Sequence, residues 1–446
     1  MGLSMKLNKN LIFTIIYIFI LIVSFFIGNF YVSLLSSIII YLIIFFVDIN
    51  LGVGIVFSLL PLSGIYDSSG FLYVFNFSII VIVFKLLIKA LLEKKMNQNT
   101  IKCIIILGIL FSYELFNTII NDVFSSSYLG NLAIWFGYVL LILIPCYLDT
   151  LDKRKIFLLT YLGFILSCLL CLVQIYTKWG FDIPSVYRFV GLLRDPNYYS
   201  FIAIILLYSS LYVIKGKIKY IIAASILGFG LLSVSKMYIL LCLLGGVLYI
   251  FYYFYLFALG KVNGVKYFVS FVIVGAIVMI ILYLTGAISF IYVKYIYRFE
   301  SYKLTTGRDY IQGQFINILT SDIYTLVFGR TLDYNKIYMI AYADSEAMLA
   351  HNTYLDLLMS FGVIGSFIYI YFIYNIFKLY SSDFKMTGQV VILILLSILT
   401  LFALSYLKAD NFTICILFIL VSACGKKQKK EVLLYEKQNN YVRSNA

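Results

Sequence analysis

The feature that most constrains this chain is the succession of apolar runs that fills it. Crossing a bilayer as a helix takes about 20 apolar residues. Runs approaching that length occur at 11–27, 30–47, 50–66, 71–92, 102–120, 131–148, 156–176, 198–214, 219–234, 237–258, 266–285, 354–377, 388–407 and 410–424. Charged residues make up only 12% of the 446, against roughly 25% in a soluble domain, which is too little for a water-facing surface. The expected fold is an all-α polytopic membrane protein of about fourteen transmembrane helices, because strand or coil in lipid would leave backbone groups unpaired. Residues 1–446 read as a single membrane domain, since no segment outside the runs is long and mixed enough to build a second core. The first run follows Lys6 and Lys9 and resembles a signal peptide in that respect. It is longer than a typical signal core, no small-residue cleavage site follows it, and another span comes next, so it reads as a retained helix.

The basic residues set an orientation. With the N-terminus cytoplasmic, the inside segments collect Lys6 and Lys9; Lys85, Lys89, Lys94, Lys95 and Lys102; Lys153, Arg154 and Lys155; Lys215, Lys217 and Lys219; Lys261 and Lys266; and Lys378 and Lys385. A basic tail, 425–446, adds Lys426, Lys427, Lys429, Lys430, Lys437 and Arg443. Most of the 34 basic residues then lie inside although the outside loops are longer, in keeping with the positive-inside rule. Both termini are expected in the cytoplasm. The net charge of +14 reports topology and attraction to anionic inner-leaflet lipid, and a nucleic-acid partner is not called for. The seven cysteines, Cys103, Cys146, Cys168, Cys171, Cys242, Cys415 and Cys424, lie in or beside apolar runs. They read as small packing residues, and no disulfide is expected.

Two long outside segments, 177–197 and 286–353, lie on one face and hold most of the outside cations. Cations there run against the usual bias, and an anionic substrate would account for them. The first segment ends Arg188-Phe-Val-Gly-Leu-Leu-Arg194-Asp195-Pro196-Asn197. Asp195 suits an N-cap and Pro196 the first helical position, so a helix should start here and offer free N–H groups to an anion. The second opens Thr305-Thr306-Gly307-Arg308-Asp309, where Thr306 and Asp309 have capping-box spacing. Ile311, Phe315, Ile318 and Leu319 follow at helical spacing, predicting an amphipathic helix on the outer surface with Arg308 in its first turn. The segment closes Ala350-His351-Asn352-Thr353-Tyr354-Leu355-Asp356. His351, the sole histidine, can exchange a proton near neutral pH. Lys236 sits in a tight outside turn after Ser233-Val-Ser235, where it is either a further site cation or a snorkelling lysine. Glu114 is an intramembrane carboxylate, a functional candidate by default, with no partner named by the sequence. There is no P-loop, no metal-ligand spacing and no Asp-x-Asp pair for a nucleotide sugar; neither metal nor cofactor is expected.

Taken together, Arg-x-x-Gly…Asp-Pro-Asn before one span, Ser-x-Ser-Lys between two others, Thr-Gly-Arg in the large loop and His-Asn-x-Tyr-Leu at its end resemble the O-antigen polymerase/ligase superfamily, which includes Wzy-type polymerases of surface polysaccharides. The resemblance covers roughly residues 185–370. It implies a GT-C-like glycosyltransferase in the bacterial plasma membrane, using undecaprenyl-diphosphate-linked oligosaccharide on the outer face. A flippase and a chain-length regulator are the partners it implies. Arg188, Arg308 and His351 fall on the motif positions; Lys236 stands where the family often has arginine, keeping the charge but not the bidentate geometry. Catalysis of this kind needs a base for the acceptor hydroxyl, for which His351 is suited. It also needs cations on the leaving diphosphate, for which Arg188, Arg194, Lys236 and Arg308 are suited. Asp195, Asn197, Asp309, Asn352, Tyr354 and Glu114 are supporting candidates, with Asp309 and Glu346 as reserve bases. A ligase of the same superfamily, a lipid-linked oligosaccharide flippase and a scaffold without chemistry are the rival readings. The scarcity of charge within the spans and the unlike halves of the chain speak against a transporter.

Overall fold

The computed structural model describes residues 9–27, 29–63, 74–122, 128–177, 189–193, 195–260, 308–338, 350–381, 388–401 and 410–423, together with scattered positions between 269 and 296. These residues are helices joined by short turns, with no strand among them. The helices are α1 (Lys9–Ile27), α2 (Phe30–Phe46), α3 (Ile49–Leu59), α4 (Val74–Leu92), α5 (Gln98–Ile120), α6 (Tyr128–Leu143), α7 (Lys153–Thr177), α8 (Pro196–Val213), α9 (Ile218–Leu231) and α10 (Lys236–Ala258). After the large loop begins come α11 (Arg308–Ser321), α12 (Ile323–Phe328) and α13 (Tyr334–Tyr338), then α14 (Thr353–Ser381), α15 (Gly388–Thr400) and α16 (Asp410–Ala423).

Among the described residues six helices, α1, α4, α5, α7, α10 and α14, are long and apolar enough to cross a membrane. Four further apolar helical segments, at Phe30–Phe46, Ile49–Leu62, Leu132–Tyr147 and Ile218–Leu231, are shorter. The chain is therefore a polytopic helical membrane protein. Each apolar run of the sequence coincides with a helix except 266–285, which is described only at scattered, mostly helical positions, while the tail 425–446 lies outside the described residues. The segment 286–353, expected as one large loop, carries three short helices, α11 to α13, in its described part.

Proline and asparagine place several helix ends. α3 turns into a tighter 3-10 turn at Leu60–Leu62 around Pro61, and α6 does the same at Ile144–Tyr147 around Pro145. Asn29, Asp48 and Asn97 cap α2, α3 and α5 through their side-chain oxygens, satisfying N–H groups that have no partner within the helix. Packing then follows small residues. A Cβ on Gly163 of α7 would lie 2.0 Å from the Ser58 carbonyl oxygen of α3, so these two helices approach backbone to backbone, as membrane helices do at small side chains. α4 packs on α6, α8 on α9, and α14 on both α5 and α12.

Contacts between helix ends sort into two sets. At one end Lys85 donates to the carbonyls of Ile44 (2.9 Å) and Val47, closing the C-terminus of α2. There too Asn50 donates to the Thr150 carbonyl at 2.8 Å, and Lys95 and Lys153 lie over the rings of Tyr147 and Tyr212. This is the lysine-rich set that the charge pattern grouped together. The opposite set holds the starts of α8, α10 and α14 and the segment 308–338. Cys103, Cys146, Cys168, Cys171, Cys242 and Cys415 are free thiols.

Candidate functional site

The polar elements singled out in the sequence meet at that second end. The chain enters α8 through Gly191, whose φ of +58° is one that side chains disfavour. A Cβ here would stand 2.6 Å from Ser167 Oγ and 3.1 Å from the Tyr199 ring, and Ser167 Oγ accepts the Leu192 N–H at 2.8 Å. Asp195 caps α8 as its sequence position predicts, accepting the Asn197 N–H at 2.5 Å, with Pro196 in the first turn.

The turn between α9 and α10 docks onto this start. Val234 has φ +50°, and Ser235 caps α10 by accepting the Tyr238 N–H at 3.4 Å. The Ser235 hydroxyl donates to Asn197 Oδ1 at 3.3 Å across 38 residues of sequence, and the hydroxyls of Ser200 and Ser233 lie 3.1 Å apart. Tyr295, from the large loop, donates to the Ser235 carbonyl at 3.4 Å. Lys236, the first residue of α10, is half-buried beside this junction.

α11 begins at Arg308, which is half-buried, while Asp309 beside it is exposed. The stripe of Ile311, Phe315 and Leu319 forms as the spacing predicts. It is buried against Tyr334, Ala350 and Met359. The physical reason is local: the short α13 and the first turns of α14 offer their own apolar faces, so the stripe seals on protein rather than on lipid.

The fourth element is the turn into α14. Asn352 caps the helix, accepting the N–H groups of Tyr354 at 3.0 Å and Leu355 at 3.3 Å; the Tyr354 ring is exposed. His351 has φ +49° and is half-buried. Burial lowers its pKa below the ordinary 6.5; the Arg308 cation pushes the same way, and the Asp195 carboxylate opposes both. The turn that carries His351 and the helix that begins at Arg308 are joined through Tyr334, which accepts the Ala350 N–H and packs on Phe315.

Arg188, Arg194, Thr306 and Glu346 lie outside the described residues. Glu114 is fully buried but belongs to a neighbouring seam, where it accepts from Thr118 Oγ1 at 2.9 Å and Thr331 Oγ1 at 3.0 Å. Arg330 carries a role that sequence reasoning missed. Its guanidinium pairs with Asp322 at 2.5 Å, donates to Thr325, Tyr338 and Asn121, and lies over the Tyr324 ring. Burial raises the Asp322 pKa, but the hydrogen bonds from Thr325 and Arg330 outweigh it and hold the carboxyl well below the usual range. This arginine is committed to folding the loop. Asp356 and Tyr334 were also missed, yet Asp356 was detectable: it is a carboxylate inside a predicted span, the same signal that marked Glu114. Among the described residues no three His, Cys, Asp or Glu side chains gather at metal-ligand spacing. No family model matches the chain, and no curated protein matches it.

Proposed function

We propose that this chain polymerises a bacterial surface polysaccharide, O-antigen or capsule, transferring an undecaprenyl-diphosphate-linked oligosaccharide onto the acceptor hydroxyl of another lipid-linked repeat unit. The observation that carries the reading is the gathering of the turns into α8, α10 and α14 and of the Arg308 helix at one end of an otherwise apolar helical bundle, joined by Ser235–Asn197, Tyr334–Ala350 and Phe315–Tyr334 contacts. A polyprenyl diphosphate needs that arrangement: lipid tails lie among helices, and charge gathers only at the interface. In the proposed step the acceptor oxygen attacks the anomeric carbon, the bond to the diphosphate breaks, and His351 takes the hydroxyl proton as that bond forms, an effect typically worth ~10²–10⁴-fold. Arg308, with Arg188, Arg194 and Lys236, would hold the leaving diphosphate, where fixed cations act on charge as it develops. Asn197 and Asn352, through the turns they fix, would hold the elements in register. No metal is required by this scheme.

The finer architecture that accompanies this reading is a GT-C-like bundle of about fourteen spans in the plasma membrane, with both termini cytoplasmic and the site on the outer face. The apolar helices support its polytopic helical part, six of those described being long enough to span. The deciding experiment is the size of lipid-linked glycans in cells lacking the protein. Single repeat units collecting on the outer leaflet, with long chains gone, establish the polymerase. Long lipid-linked chains persisting outside refute it in favour of a ligase, and glycans trapped inside refute it in favour of a flippase.

A further inference from the structure

Beneath His351 lies a buried pair that the proposed step does not use. Tyr334 of α13 and Asp356 of α14 are both completely buried. The Tyr334 hydroxyl donates to Asp356 Oδ1 and accepts the N–H of Ala350 at 3.1 Å. Ala350 immediately precedes His351, whose left-handed backbone at φ +49° is uncommon for a residue with a side chain and holds only where its surroundings enforce it. The same ring meets Phe315 edge to face, with centroids 5.2 Å apart and planes at 89°, and Phe315 belongs to the helix that begins with Arg308. One phenol thus touches both the turn that carries His351 and the helix that carries Arg308.

We infer that Tyr334 is a positioning residue for the site, with Asp356 as the acceptor that fixes its hydroxyl. This rests on the proposed function for its catalytic consequence, though not for its structural one. Tyr334 sits behind the Ala350–His351 turn and acts through the backbone. A phenol whose proton is held by Asp356 has its lone pairs free to receive the Ala350 N–H, and that bond sets the direction in which the chain enters the left-handed turn. Without it the imidazole is free to shift by a fraction of an ångström to an ångström, and a displacement of about 1 Å is enough to cost on the order of 10²-fold in rate.

The test uses Tyr334→Phe in the full chain in membrane vesicles, supplied with purified lipid-linked repeat units. The ring packing on Phe315 survives in this variant and only the oxygen is lost. Chain growth is expected to fall about tenfold to hundredfold in kcat, with KM for the lipid-linked donor little changed. Asp356→Asn keeps an oxygen for the Tyr334 proton and should retain most activity, whereas Asp356→Ala should behave like Tyr334→Phe. Amide hydrogen exchange supplies a readout independent of turnover: the Ala350 N–H should be protected in the wild type and exchange readily in Tyr334→Phe. Full activity with unchanged exchange in Tyr334→Phe would overturn the proposal while leaving the proposed function intact. Asp356→Asn as inactive as Asp356→Ala would overturn it too, because Asp356 would then act as a charge rather than as an acceptor. A wild-type chain that builds no polymer overturns the proposed function and the catalytic half of this inference, and the exchange measurement alone then decides whether Tyr334 holds the turn.

Discussion

Replacing Gly362 with alanine should cost this protein more stability than almost any other single-methyl addition. Gly362 interrupts α14 with φ +60° and ψ −170°, a combination essentially confined to glycine and worth about 1–3 kcal/mol of strain in any other residue. Space is a second obstacle. A Cβ at 362 would lie 2.4 Å from the Gly329 nitrogen and 2.5 Å from the carbon and oxygen of Val327, all backbone atoms. Gly329 is the mirror case, with φ +72° and its own Cβ position 2.4 Å from the Gly362 nitrogen. Moving the two strands of chain apart by about 1 Å would break what spans them. Arg330 N–H donates to the Met359 carbonyl at 2.8 Å, and the Tyr113 hydroxyl bridges the carbonyls of Phe328 at 2.7 Å and Phe361 at 3.3 Å. At about 1 kcal/mol for each bond, added to the strain, the change totals about 4 kcal/mol, on the order of a thousandfold in the folded-to-unfolded ratio. Thermal unfolding of the detergent-solubilised protein and its abundance in membranes measure this. Gly313→Ala is the control: nothing lies within 4 Å of its Cβ position, it sits mid-helix in α11, and alanine there should gain about 0.5–1 kcal/mol. Gly362→Ala melting with the wild type would refute the reasoning, because neither the backbone state nor the close approach would then be real constraints.

Further outcomes follow from the same contacts. His351→Ala should end chain growth without lowering membrane abundance; unchanged glycan length in that variant sinks its assignment as base. Because burial and Arg308 lower the His351 pKa, the acid limb of kcat/KM should fall below pH 6.5. Arg308→Gln removes a cation and should raise that pKa, while Asp195→Asn removes a carboxylate and should lower it further. NMR of the chain's sole imidazole reads both shifts without overlap. Arg330→Lys should cost about 1–3 kcal/mol and reduce abundance, since one ammonium cannot serve Asp322, Thr325, Tyr338 and Asn121 together. Thr331→Val should cost about as much, because it removes a donor from the buried Glu114 carboxylate; stability equal to wild type would show that Thr331 contributes nothing there.

The legible part of this protein was what hydropathy and capping dictate. Apolar length placed the helices, Asp195 and Pro196 placed the start of α8, and the stripe from Ile311 to Leu319 gave α11. The stripe's partner was not legible, since a helical period says which face is apolar and not what covers it. The same limit hid Tyr334. Nothing in the sequence around it marks one tyrosine among 41 as the ring beneath His351, because its role depends on a contact with Asp356, which lies 22 residues on. Arg330 was overlooked for the opposite reason: attention went to cations near recognisable motifs, whereas its partners are set by how the loop folds back on α5.

That fold-back also explains why an apolar helix carries polar residues at regular intervals. A break such as the one at Gly362 frees carbonyls that lipid cannot satisfy, so irregular backbone at that depth survives only against protein donors. α5 supplies them. Tyr113, Asn117 and Asn121 recur every four residues and donate to the carbonyls of Phe328, Phe361 and Arg330. Glu114 and Thr118, one position further round at the same spacing, engage Thr331. The stripe therefore holds a broken helix and a loop together below His351. A polar stripe at a helical period within an apolar run is a sequence signal for a partner with interrupted backbone, and here that partner includes the helix that begins just after the candidate base.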